Sequence, residues 1–383
     1  MASPAPLALY IHWPFCVAKC PYCDFNSHVR DTVDQEAWRA ALLADLAHEA
    51  ALLPGRTLGS IFFGGGTPSL MPPQTVAALI DAATGYWAVA DDIEITMEAN
   101  PNSAEAARFA QVASAGVNRL SLGLQALDDH ALRFLGRAHG VDEGLKALAA
   151  AQACVPRVSL DLIYARPGQS EADWERELAR ALSFGTDHLS LYQLTIEPGT
   201  RFETDVRRGT LVPADADHAA TLFELTQAMT LAARRPAYEV SNHAAPGQES
   251  RHNFAYWRYA DYAGVGPGAH GRRDGMATVR HRKPENWLAA LDRNGHGLAE
   301  ERVLPASEQA AEALMMGLRL AEGVDLAALS QRTELDRSAL VDEQAIAKLA
   351  GHGLLKQTSE RLRVTPAGML LLDAILADIV VAG

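Results

Sequence analysis

Three of the chain's four cysteines, Cys16, Cys20 and Cys23, lie within eight residues near the N-terminus. An odd cluster cannot close on itself as disulfides without leaving one thiol free. A structural zinc site is one alternative, but zinc takes four ligands, and no second Cys or His pair follows at zinc-finger spacing. Three thiolates fit a [4Fe–4S] cluster that normally takes four, which leaves one iron open to a small molecule. The spacing therefore predicts an iron–sulfur site.

The composition narrows the class of protein. The chain has 383 residues, enough for one large domain and a smaller one. It carries 34 Lys and Arg against 47 Asp and Glu, a formal net charge of −13, which disfavours nucleic acid as a partner. The sequence has no run of about 18 apolar residues, so no membrane span is expected. The first nine residues do not resemble a secretory signal and the cysteines are clustered, so we expect a cytoplasmic protein.

The cysteine cluster follows the first of six predicted strand–helix repeats. The strands are predicted at residues 7–12, 60–63, 92–97, 118–124, 158–163 and 188–194. Polar or glycine residues fall at or near the carboxyl ends of these strands: Tyr10, His12, Gly64–Gly66, Glu98, Asn100, Gln125, Asp161 and Gln193. In barrel-type α/β proteins the active site lies at that end. A doubly wound nucleotide fold is the rival, but the glycine run matches neither of its phosphate-binding patterns. The predicted fold class is α/β, a partial (β/α)6 TIM-type barrel open on one side.

The second half of the chain does not continue the strand–helix repeat. A long helix is predicted at 214–234 and an extended piece at 238–243, and the aromatic, glycine-rich region 251–271 is expected to be a shaped loop. From residue 307, three helices, a hairpin and a final helix resemble a winged helix, with a plain helical cap as the alternative. The acidic residues at 338–348 argue against DNA binding. The predicted domains are a core at 1–236, an extension at 237–300 and a mainly helical, winged-helix-like domain at 301–383.

The cysteine spacing C-x3-C-x2-C resembles that of the radical S-adenosylmethionine (SAM) superfamily. Further motifs are similar to those of its coproporphyrinogen III oxidase-like family, and they follow one another in order over nearly the whole chain: YIHWPFC at 10–16, GGGTPS at 64–69, LSLGLQ at 120–125, LGRAH at 135–139 and DLIY at 161–164. In the superfamily the open iron binds the amino and carboxylate groups of SAM. Reduction of the cluster then cleaves SAM to a 5′-deoxyadenosyl radical.

Members of this family are either oxygen-independent coproporphyrinogen III oxidases or heme chaperones. Three features favour the chaperones. Phe25 stands where the oxidases have a fourth cysteine; the first strand starts at about residue 7, without the oxidases' N-terminal extension; and residues 252–257, HNFAYW, resemble the chaperones' H-N-x-x-Y-W motif.

The resemblance thus implies a heme chaperone that binds a [4Fe–4S] cluster, SAM and heme. It would deliver heme to acceptor proteins such as respiratory enzymes, as a monomer or dimer. The oxidase is the alternative function, and whether the chain is an enzyme is left open. An RNA-modifying radical SAM enzyme is a third hypothesis, which the acidic composition disfavours.

The resemblance also assigns site residues. Cys16, Cys20 and Cys23 would ligate the cluster, and the residues implied to line the SAM site are Tyr10, Tyr22, Gly65, Gly66, Thr67, Glu98, Gln125, Arg137 and Asp161. Glycines let the backbone approach SAM closely, carboxylates can accept from its hydroxyls or ammonium, and an arginine can pair with its carboxylate. The alternative readings are glycines with a purely geometric role and a surface ion pair at Arg137.

The heme residues are assigned on the aromatic stretch. His252 is the candidate iron ligand, with Tyr256 and Trp257 packed against a porphyrin face. A histidine that bridges loops is an equal alternative for His252, and His270 and His243 are the next candidates. Cys154, the isolated cysteine, is expected to be a buried, inert thiol.

Overall fold

The computed structural model describes residues 5–359 and 361–381. Residues 1–4, which belong to the stretch where no secretory signal is expected, lie outside this range. The core segment runs in this order: β1 (Leu7–Trp13), β2 (Phe15–Cys16), β3 (His28–Val29), α1 (Gln35–Leu52), β4 (Thr57–Gly65), α2 (Pro73–Tyr86), β5 (Ala88–Ala99), α3 (Ser103–Ala106), α4 (Phe109–Ser114), β6 (Arg119–Gln125), α5 (Asp129–Phe134), α6 (Val141–Cys154), β7 (Arg157–Tyr164), α7 (Glu171–Leu182) and β8 (His188–Gln193).

Two local features explain these elements: inward- and outward-facing side chains alternate along the strands, and capping residues begin the helices. In β1, Leu7, Leu9 and Ile11 are fully buried on one face, and Tyr10 points to the other. Helix α1 begins where Asp34 accepts a hydrogen bond from the Ala37 amide, at 3.1 Å, as an N-cap. Its buried residues at helical spacing, Trp38, Leu42 and Leu46, pack into the main hydrophobic core.

The remaining elements enlarge the sheet and add a second unit. They are α8 (Arg201–Arg207), α9 (Ala216–Ala232), β9 (Asn242–Ala244), α10 (Arg251–Trp257), β10 (Tyr262–Val265), β11 (His270–Arg273), β12 (Met276–Arg280), α11 (Pro284–Asn294), β13 (Leu298–Val303), α12 (Ala306–Gly317), β14 (Val324–Asp325), α13 (Leu326–Thr333), α14 (Arg337–Leu340), α15 (Glu343–Gly351), β15 (Leu355–Gln357), β16 (Arg361–Val364), α16 (Pro366–Met369) and α17 (Leu372–Ile379).

The main sheet has eleven strands among the described residues, in the order β13-β12-β11-β10-β1-β4-β5-β6-β7-β8-β9. The strands from β10 to β8 are all parallel, and antiparallel strands extend both edges. The six predicted parallel strands and the α/β fold class are therefore confirmed. The expected loop at 251–271 is wrong, because this region forms α10, β10 and the start of β11.

The C-terminal unit has its own hydrophobic core, built on residues such as Leu314, Leu340, Leu362 and Ile379. Its helices are joined by the three-stranded sheet β14-β16-β15. The predicted order of helices, hairpin and final helix is thus observed. The boundaries at 236/237 and 300/301 stay predictions, although β10–β13 continue the main sheet.

Candidate functional site

The three clustered cysteines lie on one loop that follows β1, which we call the cysteine loop (residues 14–30). β2 and β3 pair in parallel and close its base. The imidazole Nε2 of His12 lies 2.9 Å from the carbonyl oxygen of Asn26, and the Gly66 amide donates to the Trp13 carbonyl at 2.7 Å. Because strand β1 and the glycine run both hold the loop, the three thiols are fixed at the carboxyl end of the parallel strands.

Polar groups from the segments that follow β4 and α5 donate to two of the sulfurs. The Thr67 hydroxyl lies 3.4 Å from Cys16 Sγ, and an Arg137 guanidinium nitrogen lies 3.6 Å from Cys20 Sγ. All three cysteines are half-buried and unpaired. Burial raises the pKa of the Cys16 thiol, and the hydrogen bond from Thr67 opposes that rise. Half-buried thiols with N–H and O–H donors on sulfur suit an iron–sulfur cluster.

No group of three or more His, Cys, Asp or Glu side chains is arranged to hold a metal ion within the described ranges. Each cysteine ligand of a cubane binds a different iron, so such ligands need not converge on one atom.

The glycine run is required by packing. Gly65 has φ +114°, and a Cβ there would lie 2.6 Å from the His12 ring. A Cβ on Gly66 would lie 2.8 Å from the Phe15 carbonyl oxygen. Packing alone therefore requires glycine at both positions, since only glycine lets β4 lie this close to the cysteine loop.

Two carboxyl groups lie at this end of the barrel, close enough for the charge of Asp161 to act on Glu98. Glu98 accepts a hydrogen bond from the Gly65 amide at 3.2 Å, and Asp161 accepts one from the Ser121 hydroxyl at 3.1 Å. Burial, and then the Asp161 charge, raise the pKa of Glu98 to about 8. Burial also raises the pKa of Asp161. A cationic ligand would relieve this desolvation and repulsion, so the pair suits a positively charged small molecule.

Arg137 is half-buried beside the cysteine loop and makes no ion pair with any described residue. Its guanidinium donates to the Asn100 side-chain oxygen and to the Gly123 carbonyl, the latter at 2.9 Å. Asn100 in turn donates to Thr67 Oγ1 at 3.2 Å. Asn100 therefore connects Thr67 and Arg137, the two residues that donate to the sulfurs. In the sequence, only its position at the end of a strand indicated that it belongs to the site.

The other predicted SAM-site residues lie around the same end of the barrel. The Tyr22 hydroxyl lies within electrostatic reach of Arg137 and Cys20. The Tyr10 hydroxyl lies within electrostatic reach of Glu98 and 2.9 Å from His12 Nδ1. Gln125 adopts φ +67° at an irregularity of β6, where its amide lies over Gly123. Contacts or charge interactions thus connect all nine residues: Tyr10, Tyr22, Gly65, Gly66, Thr67, Glu98, Gln125, Arg137 and Asp161.

The predicted heme residues lie on α10, where the His252 ring is 6.3 Å from that of Tyr10. His252 is 4% exposed in α10, with its Nδ1 3.0 Å from the hydroxyl of Ser60, which lies four residues before Gly64 on β4. The His252 ring stacks on Phe62 with centroids 4.8 Å apart, and burial lowers the pKa of its imidazole to about 3. The ring thus bridges α10 and the barrel strands, as the alternative reading of this histidine expected.

Its two companions do not form an exposed aromatic platform with it. The Tyr256 ring packs against those of His252 and Tyr262, and the Trp257 ring lies under the Arg319 guanidinium of the next segment. Of the reserve histidines, His243 is 1% exposed and His270 is exposed. Cys154, expected to be buried, is half-buried at the end of α6 and packs partly against the core.

The model of the Radical SAM superfamily matches residues 10–181, and that of the HemN C-terminal domain matches residues 304–371. Radical S-adenosyl methionine domain-containing protein 1, mitochondrial, of Bos taurus is 39% identical, over 98% of this chain and 89% of that protein. Heme chaperone HemW of Escherichia coli (strain K12) is 37% identical over 98% of each chain.

Among solved structures, the coproporphyrinogen III oxidase HemN of Escherichia coli matches with a TM-score of 0.81 at 22% identity, over 98% of this chain and 90% of that one. That likeness concerns the fold alone. The chain belongs to the radical SAM superfamily and, within its coproporphyrinogen III oxidase-like branch, to the family of the HemW heme chaperones. This membership implies a [4Fe–4S] cluster and SAM as cofactors.

No helix in the described part of the chain has both the length and the hydrophobicity to cross a membrane. The cytoplasmic location stays a prediction, because the relatives include proteins named as mitochondrial.

Proposed function

We propose that this protein is a heme chaperone: it holds a [4Fe–4S] cluster on Cys16, Cys20 and Cys23, binds SAM beside it, and carries heme to acceptor proteins such as respiratory enzymes. The observation that supports the cofactor part is the meeting of two features at one end of the barrel. One is the set of donors on the cysteine sulfurs, and the other is the buried carboxyl pair Glu98 and Asp161. The full-length similarity to proteins named heme chaperone supports heme as the cargo.

The bound cluster would supply the electron for reductive cleavage of SAM. The chain's own residues would bind and orient SAM: Glu98 and Asp161 toward its cationic groups, and Arg137 toward its carboxylate. Arg137 already donates to Asn100 and Gly123, and these contacts fix its orientation before a ligand arrives.

SAM binding should strengthen with pH. With a pKa of about 8, Glu98 is mostly protonated at pH 7, and a cation bound beside it would lower that pKa and expel the proton. The dissociation constant should therefore fall about fivefold between pH 7 and 8 and level off above that range. Calorimetric titration of SAM into reconstituted protein from pH 6 to 9 would measure this dependence. A Glu98→Gln variant should remove it, and a flat profile in the native protein would contradict the assignment.

The protein should not decarboxylate coproporphyrinogen III. Phe25 stands in place of the oxidases' fourth cysteine, and its ring is exposed beside the cluster ligands. Anaerobically reconstituted protein with SAM and a reductant should give no more protoporphyrinogen than the triple cysteine-to-alanine variant. In a parallel titration it should bind hemin at about one per chain.

Robust protoporphyrinogen formation would instead support the oxidase, the alternative function. A protein that neither decarboxylates nor binds hemin would refute both.

A further inference from the structure

The cysteine loop exposes more apolar surface than its role in holding a cluster requires. Val17 is 75% exposed, Phe25 58% and Val29 47%. These three side chains lie among or beside the cluster cysteines and form what we call the cysteine rim. Exposed apolar groups that gather on one loop commonly mark a binding surface.

The rim adjoins the segments that begin and follow the antiparallel extension of the sheet. The Asn26 side-chain nitrogen donates to the carbonyl oxygens of Pro267 and Arg282, both at 2.9 Å. A Cβ on Gly268 would lie 2.4 Å from the same nitrogen. Asn26 follows Phe25 directly, and Gly268 precedes His270 by two residues. These contacts therefore bring the segment that carries Phe25 against the segment that leads into His270.

His270 is the accessible histidine on this surface. Its side chain is exposed and makes no hydrogen bond to any described residue. Partial burial and the nearby Arg282 charge lower the pKa of its imidazole, which favours the neutral form that ligates iron. His252 and His243 are 4% and 1% exposed, and His28 uses its Nε2 toward Asn26 at 3.3 Å.

The charged side chains around the rim are mainly positive. They would complement a ligand that has an apolar ring and acidic groups. Lys19, Arg282 and Lys283 are exposed there, in a chain that is acidic overall. Arg30 is paired with Glu285 at 2.6 Å, and Asp24 is the exposed acid nearest the cysteines in sequence. Lys19, Arg282 and Lys283 make no ion pair with any described residue, so three free cations accompany the apolar rim and the exposed His270 imidazole.

Resting on the proposed chaperone function, we infer that heme docks on the cysteine rim, with His270 as an axial ligand, Phe25 and Val17 against the porphyrin face, and Arg282 and Lys283 toward the propionates. An apolar ring face, a neutral nitrogen ligand and paired cations are the groups that heme requires. The His252 assignment would instead require α10 to leave the barrel and break the contacts of its ring with Ser60 and Phe62.

The test is hemin titration of the full chain by difference spectroscopy, with and without the reconstituted cluster. His270→Ala should shift the Soret band and raise the dissociation constant about 10- to 100-fold, as expected when a metal site loses a ligand. Phe25→Ser should raise the constant about three- to tenfold without moving the band, because it removes only ring contact. His352→Ala and Tyr86→Ser, at exposed positions away from the rim, are the matched controls and should behave as wild type.

Two results would overturn the inference while leaving the chaperone function in place. One is wild-type heme binding by both rim variants, with His252→Ala losing the ligand spectrum at unchanged thermal stability. The other is a Phe25→Ser protein that binds heme normally but is reduced more slowly by an acidic electron-transfer flavoprotein, which would make the rim a protein-docking surface. Failure of the wild-type protein to bind hemin would instead refute the chaperone function itself.

Discussion

Replacing Cys16, Cys20 or Cys23 by alanine is expected to abolish the iron–sulfur cluster. Native protein should reconstitute to about four irons per chain, and each variant should lose most of the iron and the broad visible absorbance. The three thiols share one loop, and the donors Thr67 and Arg137 approach the sulfurs of Cys16 and Cys20. Because a cubane with only two cysteine ligands is poorly held, one substitution should suffice. Iron and sulfide assays with visible absorption spectra are the measurement.

Cys154→Ala is the control for this prediction. Cys154 lies at the end of α6 and packs partly against the core, and it is no member of the cysteine loop. Its replacement should leave the cluster intact. A protein that lost its cluster with Cys154→Ala, yet kept it when one of the other three was replaced, would show that the ligands are misassigned.

Arg280→Ala should cost about 3–5 kcal/mol of unfolding free energy, since it leaves the buried Asp45 carboxylate without an ion-pair partner and Glu49 with Arg273 alone. Arg280 is fully buried and pairs with Asp45 at 2.6 Å and Glu49 at 2.9 Å. Its positive charge holds the pKa of Asp45 below the usual range despite burial. Asp45 also accepts the Gly266 amide at 3.0 Å, so these pairs join α1 to the segment that carries His270.

Urea unfolding would measure this loss. The matched control is Arg302→Ala, because Arg302 pairs with Glu308 at the surface, where such pairs contribute little. Equal destabilisation by the two substitutions would contradict the assignment of the buried network.

Local sequence signals predicted the parallel core well. β1 lies within one residue of its expected bounds, because an apolar run that ends before Pro14 is a local signal. Alignment of strand ends in a parallel sheet was enough to bring Glu98 and Asp161 together. Burial raises the pKa values of these two carboxyl groups, and the depth of burial cannot be read from the sequence.

The sheet extension and α10 were missed for physical reasons. Strands β11 and β12 carry Arg272, Arg273 and Arg280, which look solvent-exposed in a sequence, whereas here they are buried against acids of α1 and other segments. Helix α10 has seven residues and is capped by Ser250, whose hydroxyl accepts a hydrogen bond from the Asn253 amide. It is too short for periodicity to reveal, and packing in the barrel stabilises it.

The proposed function of this protein is the transfer of heme to an acceptor protein. The most direct measurement mixes heme-loaded, cluster-containing protein and SAM with increasing concentrations of the apo form of a b-type respiratory cytochrome, and follows transfer by stopped-flow absorption. We expect a transfer rate that rises with acceptor concentration to a plateau above the rate at which heme leaves the chaperone alone, as a complex between the two proteins requires. A rate independent of acceptor and equal to free heme dissociation would contradict it.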